Sequence, residues 1–222
     1  MPRKARIAVV LSGCGVFDGA EIQEAVLTLL AIDRQGAEYQ CFAPDITQHH
    51  VIDHSKGQPA DETRNVLVEA ARIARGNIKD LAGFRSEDYD ALVFPGGFGA
   101  AKNLSSFAID GDQCTVEASV GRAIRCMHAA GKPIGALCIA PALLARVLGG
   151  VDLTIGNDKD TAAALERLGA RHRDTTHGEV VVDTAARIAT TPCYMLDATV
   201  SQIADGASNV VRAVLDMVRL PA

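Results

Sequence analysis

Pro133-Ile-Gly-Ala-Leu-Cys138-Ile-Ala-Pro141-Ala-Leu-Leu-Ala-Arg-Val-Leu148 is the stretch on which the fold turns. Pro133 to Leu137 is a short apolar run of the kind a buried strand makes, and Ile139 to Leu148 reads as a helix. No loop residue stands between them. Upstream, Ala91 to Phe94 is a second apolar strand that runs into Pro95-Gly96-Gly97. It is followed by a helix over Thr115 to Ala130, with Val116, Val120, Ile124 and Met127 in register. Nearer the start, Arg6 to Ser12 is a strand ended by Gly13, and Gly19 to Gln35 a helix closed by Gly36. Tyr39 to Ala43 is another strand, His50 to Gln58 a hairpin around Ser55-Lys56-Gly57, and Asn65 to Ala74 an amphipathic helix. Beyond the opening stretch come strand-like Leu153 to Ile155 and a helix over Asp160 to Leu168. A hairpin of Glu179 to Val182 with Arg187 to Thr190 and a last helix over Ala198 to Arg219 complete the chain. Alternating β and α elements predict a parallel, doubly wound sheet with helices on both faces and two inserted hairpins. In such a sheet the ligand sits off the carboxyl ends of the strands.

The 222 residues contain no internal repeat or Pro/Ser-rich linker, so residues 1–222 read as one domain. The composition is 48% hydrophobic but only 4% aromatic, with no Trp, so Ala, Val, Ile and Leu must build the core. A net charge of −5 argues against nucleic acid or an anionic membrane as a partner. Six cysteines form no Cys-x-x-Cys pair, and no signal peptide or apolar run long enough to span a bilayer precedes them. These features imply reduced thiols and a cytoplasmic location.

Three strand ends could carry chemistry: Ser12-Gly13-Cys14-Gly15, Pro95-Gly96-Gly97 and the junction at Cys138. A strand that turns directly into a helix crowds the positions two before and two after its central residue. Here these are Ala136 and Ala140. Small-x-nucleophile-x-small is the nucleophile elbow, with Cys in place of Ser. A thiol there sits at a helix N-terminus, which favours thiolate. The Ile139 N–H points outward, where it can bind an oxyanion, and Gly97 offers a second N–H. Glu21 and Glu24 lie in the first turns of the helix that begins near Gly19, and either could exchange a proton with the thiol. Each feature also has a plainer role. Cysteines are commonly buried hydrophobes, glycine pairs make tight turns, and first-turn acids complement the helix dipole.

Ser12-Gly-Cys-Gly-Val-Phe-Asp-Gly-Ala-Glu21, Phe94-Pro-Gly-Gly-Phe-Gly-Ala-Ala-Lys-Asn-Leu104, Cys138-Ile-Ala-Pro141 and Thr190-Thr-Pro-Cys-Tyr-Met195 together resemble the ElbB family, the isoprenoid-biosynthesis glyoxalases. That family belongs to the class I glutamine amidotransferase-like superfamily, with the Parkinson-disease deglycase and PfpI proteases. The resemblance covers essentially the whole chain. It implies a flavodoxin-like fold, a homodimer and a glutathione-independent glyoxalase acting on a small dicarbonyl without metal or organic cofactor. The family's nucleophile falls on Cys138 and its backbone donors on Gly97 and Ile139. The superfamily's acidic residue falls on Glu24, through Gly19-Ala-Glu-Ile-Gln-Glu24. Many superfamily members carry a His after the elbow helix. Here Thr154-Ile-Gly-Asn-Asp158 has none, and the only later histidines are His172, in a superficial His172-Arg-Asp174 run, and His177. Without a Cys-His-acid triad, neither protease nor glutaminase activity is expected.

Other readings compete. Gly13-x-Gly15-x-x-x-Gly19 after a strand imitates a dinucleotide-binding loop. A redox sensor or chaperone-like protein would use Cys138 through oxidation. His49, His50, Asp53 and His54 cluster as metal ligands do, although a polar loop explains them as well. Cys14 and Asn103, with Asp18 and Lys102, are expected on the rim of the substrate pocket. The last helix and the Asn65–Ala74 helix are candidate dimer surfaces.

Overall fold

The structure, a computed structural model, describes residues 3–219. Its first half contains β1 (Arg6–Val10), α1 (Ile22–Arg34), β2 (Glu38–Ala43), β3 (Val51–Asp53), β4 (Gln58–Ala60), α2 (Val66–Ile73) and β5 (Ile78–Asp80). Next come β6 (Ala91–Phe94), α3 (Phe98–Lys102), α4 (Phe107–Asp110), α5 (Ala118–Ala129), β7 (Ile134–Leu137) and α6 (Pro141–Leu148). The remainder is β8 (Asp152–Leu153), α7 (Lys159–Arg167), β9 (Arg171–His172), β10 (Val181–Asp183), β11 (Ile188–Thr191) and α8 (Val200–Arg219).

Seven strands form one sheet in the order β10-β11-β7-β6-β1-β2-β5, parallel throughout except for the β10–β11 pair. The apolar runs of β6, β7 and β11 are buried at every position because helices cover both faces. The pleat then sorts alternate side chains into two cores. Ala8, Val10, Leu92, Phe94, Ile134 and Ala136 pack beneath α5 and α6, whereas Ile7, Val9, Ala91, Val93 and Leu137 pack beneath α1 and α8. On the second face Gly135 lets α8 come close: a Cβ there would lie 3.0 Å from Val214 Cγ2 and 3.3 Å from Val93 Cγ2.

Both expected hairpins are present, β3–β4 and β10–β11, and β11 also pairs parallel with β7. Elsewhere the architecture departs from the sequence reading. The segment at Leu153 stays out of the main sheet and pairs as β8 with β9. The helix expected from Thr115 starts at Ala118, because the Glu117 carboxylate caps it by accepting the Val120 N–H at 2.9 Å. Edge strand β5 and the short helices α3 and α4 were not anticipated; each is too brief to show a period. Among the described residues no helix is long and apolar enough to cross a membrane.

Candidate active site

The reversal from β7 into α6 holds Cys138 at φ +58°, a left-handed conformation that costs a non-glycine residue about 1–3 kcal/mol. Hydrogen bonds from Cys138 N–H to Thr191 O and from Ala140 N–H to Leu137 O, both 2.9 Å, fix the turn. Ala136 and Ala140 are fully buried at its two crowded positions. Gly96, at the end of β6, closes against the thiol. A Cβ on Gly96 would lie 2.4 Å from Cys138 Cβ, 3.0 Å from its Sγ and 2.7 Å from Glu24 Oε2. The sulfur and the carboxyl oxygen therefore sit side by side, and only glycine leaves them room. Gly97 follows at φ +96°, pressed so closely on Glu21 N that a Cβ would approach it to 2.3 Å.

The two acids of the first helix divide their work. Glu21 is the N-cap of α1 and accepts the Glu24 N–H at 2.6 Å, the dipole-complementing role. Glu24 is wholly buried and lies beside the Cys138 sulfur, where each group shifts the other's proton affinity. Its two oxygens also accept the Gly96 N–H at 2.9 Å and the Tyr194 N–H at 3.2 Å. The Gly97 and Ile139 N–H groups lie near the Cys138 sulfur and favour its charged form. The structure thus brings Cys138, Glu24, Gly97 and Ile139 together.

Burial raises the Glu24 carboxyl to about 7, and the nearby Glu21 charge adds to the rise against the pull of the Tyr194 and Gly96 N–H groups. Burial also raises the Cys138 thiol well above its ordinary value, with Glu24 adding to it and the Gly97 and Ile139 N–H groups opposing. Burial thus works against the thiolate that the helix end favours. The pair has room for one negative charge and titrates as a unit.

Cys138 forms the floor of a cavity of about 450 Å³. Val16, Phe98, Ala101, Phe107, Ile139 and Met195 are among its walls, and Glu21, Asp158, Thr161 and Tyr194 supply the polar groups. The sequence reading named Gly96 only as one of a glycine pair and did not single out Asp158 or Tyr194. The Tyr194 N–H acts through its backbone, and only the Thr190–Met195 motif marked its position.

Neither Cys14 nor Asn103 lines this cavity. Asn103 is a strut: its amide donates to Ser12 O at 2.9 Å and Asp18 O at 2.8 Å and accepts the His49 N–H at 2.8 Å. Cys14 faces Glu69, Arg72 and Asp18, and burial raises its thiol. The histidine cluster is divided between structural jobs. His54 accepts the Phe17 N–H through Nε2 at 3.2 Å and bonds Ile52 O through Nδ1 at 3.0 Å. His50 lies 3.4 Å from Lys102 Nζ. Among the described residues no three His, Cys, Asp or Glu side chains are placed to hold a metal ion. His172 is buried and accepts the Ile155 N–H at 3.2 Å; no histidine lines the cavity. The glycines that imitate a dinucleotide loop close on themselves. Gly15 N–H bonds Ala20 O at 2.9 Å, and a Cβ on Gly19 would lie 2.3 Å from Cys14 N.

A parallel sheet with a cysteine elbow beside a first-helix glutamate defines the class I glutamine amidotransferase-like fold, which a known structure shares. An isoprenoid biosynthesis protein with an amidotransferase-like domain from Ehrlichia chaffeensis superposes with a TM-score of 0.88 at 37% identity, over 95% of this chain and 99% of that one. The human protein named glutamine amidotransferase-like class 1 domain-containing protein 3, mitochondrial, is 51% identical over 98% of this chain and 85% of its own length. The chain belongs to this ElbB and ES1 family of class I glutamine amidotransferase-like proteins. No protein-family model matches it. The fold also extends to glyoxalase III from Candida albicans, with a TM-score of 0.63 at 16% identity over 96% of this chain and 97% of that one. The cytoplasmic expectation is overturned: the human relative and the ES1 proteins of rat and zebrafish are all named mitochondrial. Free thiols separate reducing from oxidising surroundings and do not tell one reducing compartment from another.

Proposed function

We propose that the protein is a cofactor-independent glyoxalase that converts glyoxal to glycolate, and methylglyoxal to lactate. The observation that carries this reading is Cys138 in the cavity lining, with the buried Glu24 carboxyl and the Gly97 and Ile139 N–H groups beside its sulfur. Sγ adds to the aldehyde carbon, and the carbonyl oxygen takes the charge as a hemithioacetal, held by the Gly97 and Ile139 N–H groups. Glu24 takes the thiol proton and moves a proton between the adjacent carbons through an ene-diol. The product is a thioester of the hydroxy acid. Water cleaves it, releasing the acid and restoring the thiol. A carboxyl held near 7 suits both halves of this transfer, being ready to give or to take a proton at neutral pH. Fluorescence or colorimetric assay of dicarbonyl consumption tests the assignment. Cys138→Ala is expected to abolish it, and wild-type turnover by that variant would remove Cys138 from the chemistry.

A further inference from the structure

A cavity of about 450 Å³ falls in the range that encloses a whole drug-sized ligand, yet glyoxal has only four non-hydrogen atoms. The surplus space is apolar, walled by Val16, Phe98, Phe107 and Met195. Its charged groups are all of one sign. Glu21 and Asp158 line it, and among the described lining residues there is no Lys, Arg or His. Asp158 caps α7 by accepting the Thr161 N–H at 2.8 Å, and this bonding keeps its carboxyl below the ordinary range, hence ionised. It offsets the partial positive charge that the start of α7 would otherwise present to the cavity. Asp158 is itself exposed at the cavity's rim, and two cations stand just outside the lining. The Lys102 ammonium sits 4.7 Å from the Phe98 ring centroid and donates to Phe17 O at 3.3 Å, and Lys159, beside Asp158, is exposed outside the lining.

We propose that this cavity selects its carbonyl substrates by bulk and charge: it takes uncharged or cationic aldehydes that carry an apolar body, and Asp158 turns anionic ones away. The selection rests on the glyoxalase reading and names its substrate class as aryl- or alkyl-substituted glyoxals. A carboxylate near a low-dielectric wall repels an approaching anion, and the same wall rewards burial of an apolar group.

The 4-carboxamide and 4-carboxylate of phenylglyoxal are nearly the same size, differ in charge and provide the test. Wild-type protein is expected to show kcat/KM about tenfold or more in favour of the neutral compound, and Asp158→Asn to reduce that preference to about threefold or less. Asparagine also caps helices, so this variant keeps the start of α7. Equal kcat/KM values in the wild type, or a preference unchanged in the variant, would overturn the selection. A second measurement needs no turnover. Alkylation of Cys138 by neutral iodoacetamide and anionic iodoacetate is followed on the Cys138 peptide by mass spectrometry, with free cysteine as the reference. The neutral reagent is expected to be favoured beyond its advantage on free cysteine, and less so in Asp158→Asn. If that bias appears while no glyoxal is consumed, charge selection stands and the glyoxalase reading fails. If glyoxals turn over with no bias in either measurement, the glyoxalase reading stands and the selection fails.

Discussion

Glu24 and Cys138 share one buried site, so the charge on either one sets the proton affinity of the other. Above neutral pH an ionised Glu24 opposes a second charge on the sulfur. Glu24→Gln removes that charge and keeps an uncharged group between the Gly96 and Tyr194 N–H groups. The variant's Cys138 thiol is therefore expected to ionise about 1–3 pH units lower than in the wild type. Its dicarbonyl turnover should fall by about 10²–10⁴, because an amide cannot carry a proton between carbons. The pH profile of Cys138 alkylation reads the first effect and steady-state kinetics the second. An unmoved profile would show that Glu24 does not govern the thiol. At this scale much was legible in the sequence. Ala136 and Ala140 around Cys138 announce a crowded elbow, and Gly96-Gly97 a backbone pressed against a neighbour. Helix position alone did not divide Glu21 from Glu24, because both acids stand in the same first turn; only the resemblance pointed to Glu24. Both are buried, but the Gly96 and Tyr194 N–H groups bond Glu24, which is closed off completely, whereas Glu21 lines the cavity. Asn103 misled for a related reason: an amide in a glycine-rich loop can face a ligand or tie the loop together, and its three backbone contacts show that it ties.

Elements were readable where their apolar run was long enough to show a period or was continuous between two turn signals. β1, β6 and β7 are continuous because they are covered on both faces, and α8 repeats its buried positions over twenty residues. β5 is three residues with two exposed, and α3 is set by its position after Gly97 more than by its composition. Gly135, a strand position without a side chain, is a contact surface for α8. Gly135→Val would place a branched side chain where Val214 and Val93 already stand within 3.0 and 3.3 Å of its Cβ. Overpacking of this kind is expected to cost about 1–3 kcal/mol in urea unfolding. Val214→Ala opens space at that spot, so the double variant should be less destabilised than the two single changes added together. Strict additivity would mean that α8 does not bear on Gly135.

For the molecule as a whole, the buried acid makes stability depend on pH in the opposite sense to an ordinary carboxylate. Glu24 is at about 7 when folded, against 4.5 for the free group, so the folded state binds the extra proton in between. Its contribution is fully present below about pH 4.5 and is lost as pH rises through 7. His50 and His172, both lowered by burial, act the other way, because the unfolded chain takes up their protons first as pH falls below 6.5. The net curve mixes these trends, but Gln at position 24 stands in for the protonated acid at every pH and isolates one of them. Relative to the wild type, Glu24→Gln is expected to gain about 3 kcal/mol of unfolding free energy between pH 4 and 8, with most of the change between 4.5 and 7. Urea titrations of both proteins across that range measure it. A difference that stays flat would mean that Glu24 is solvated in the folded protein, and a difference of the opposite sign would mean that the fold holds it as the anion. Either result would remove the near-neutral carboxyl on which the proposed proton transfers rest.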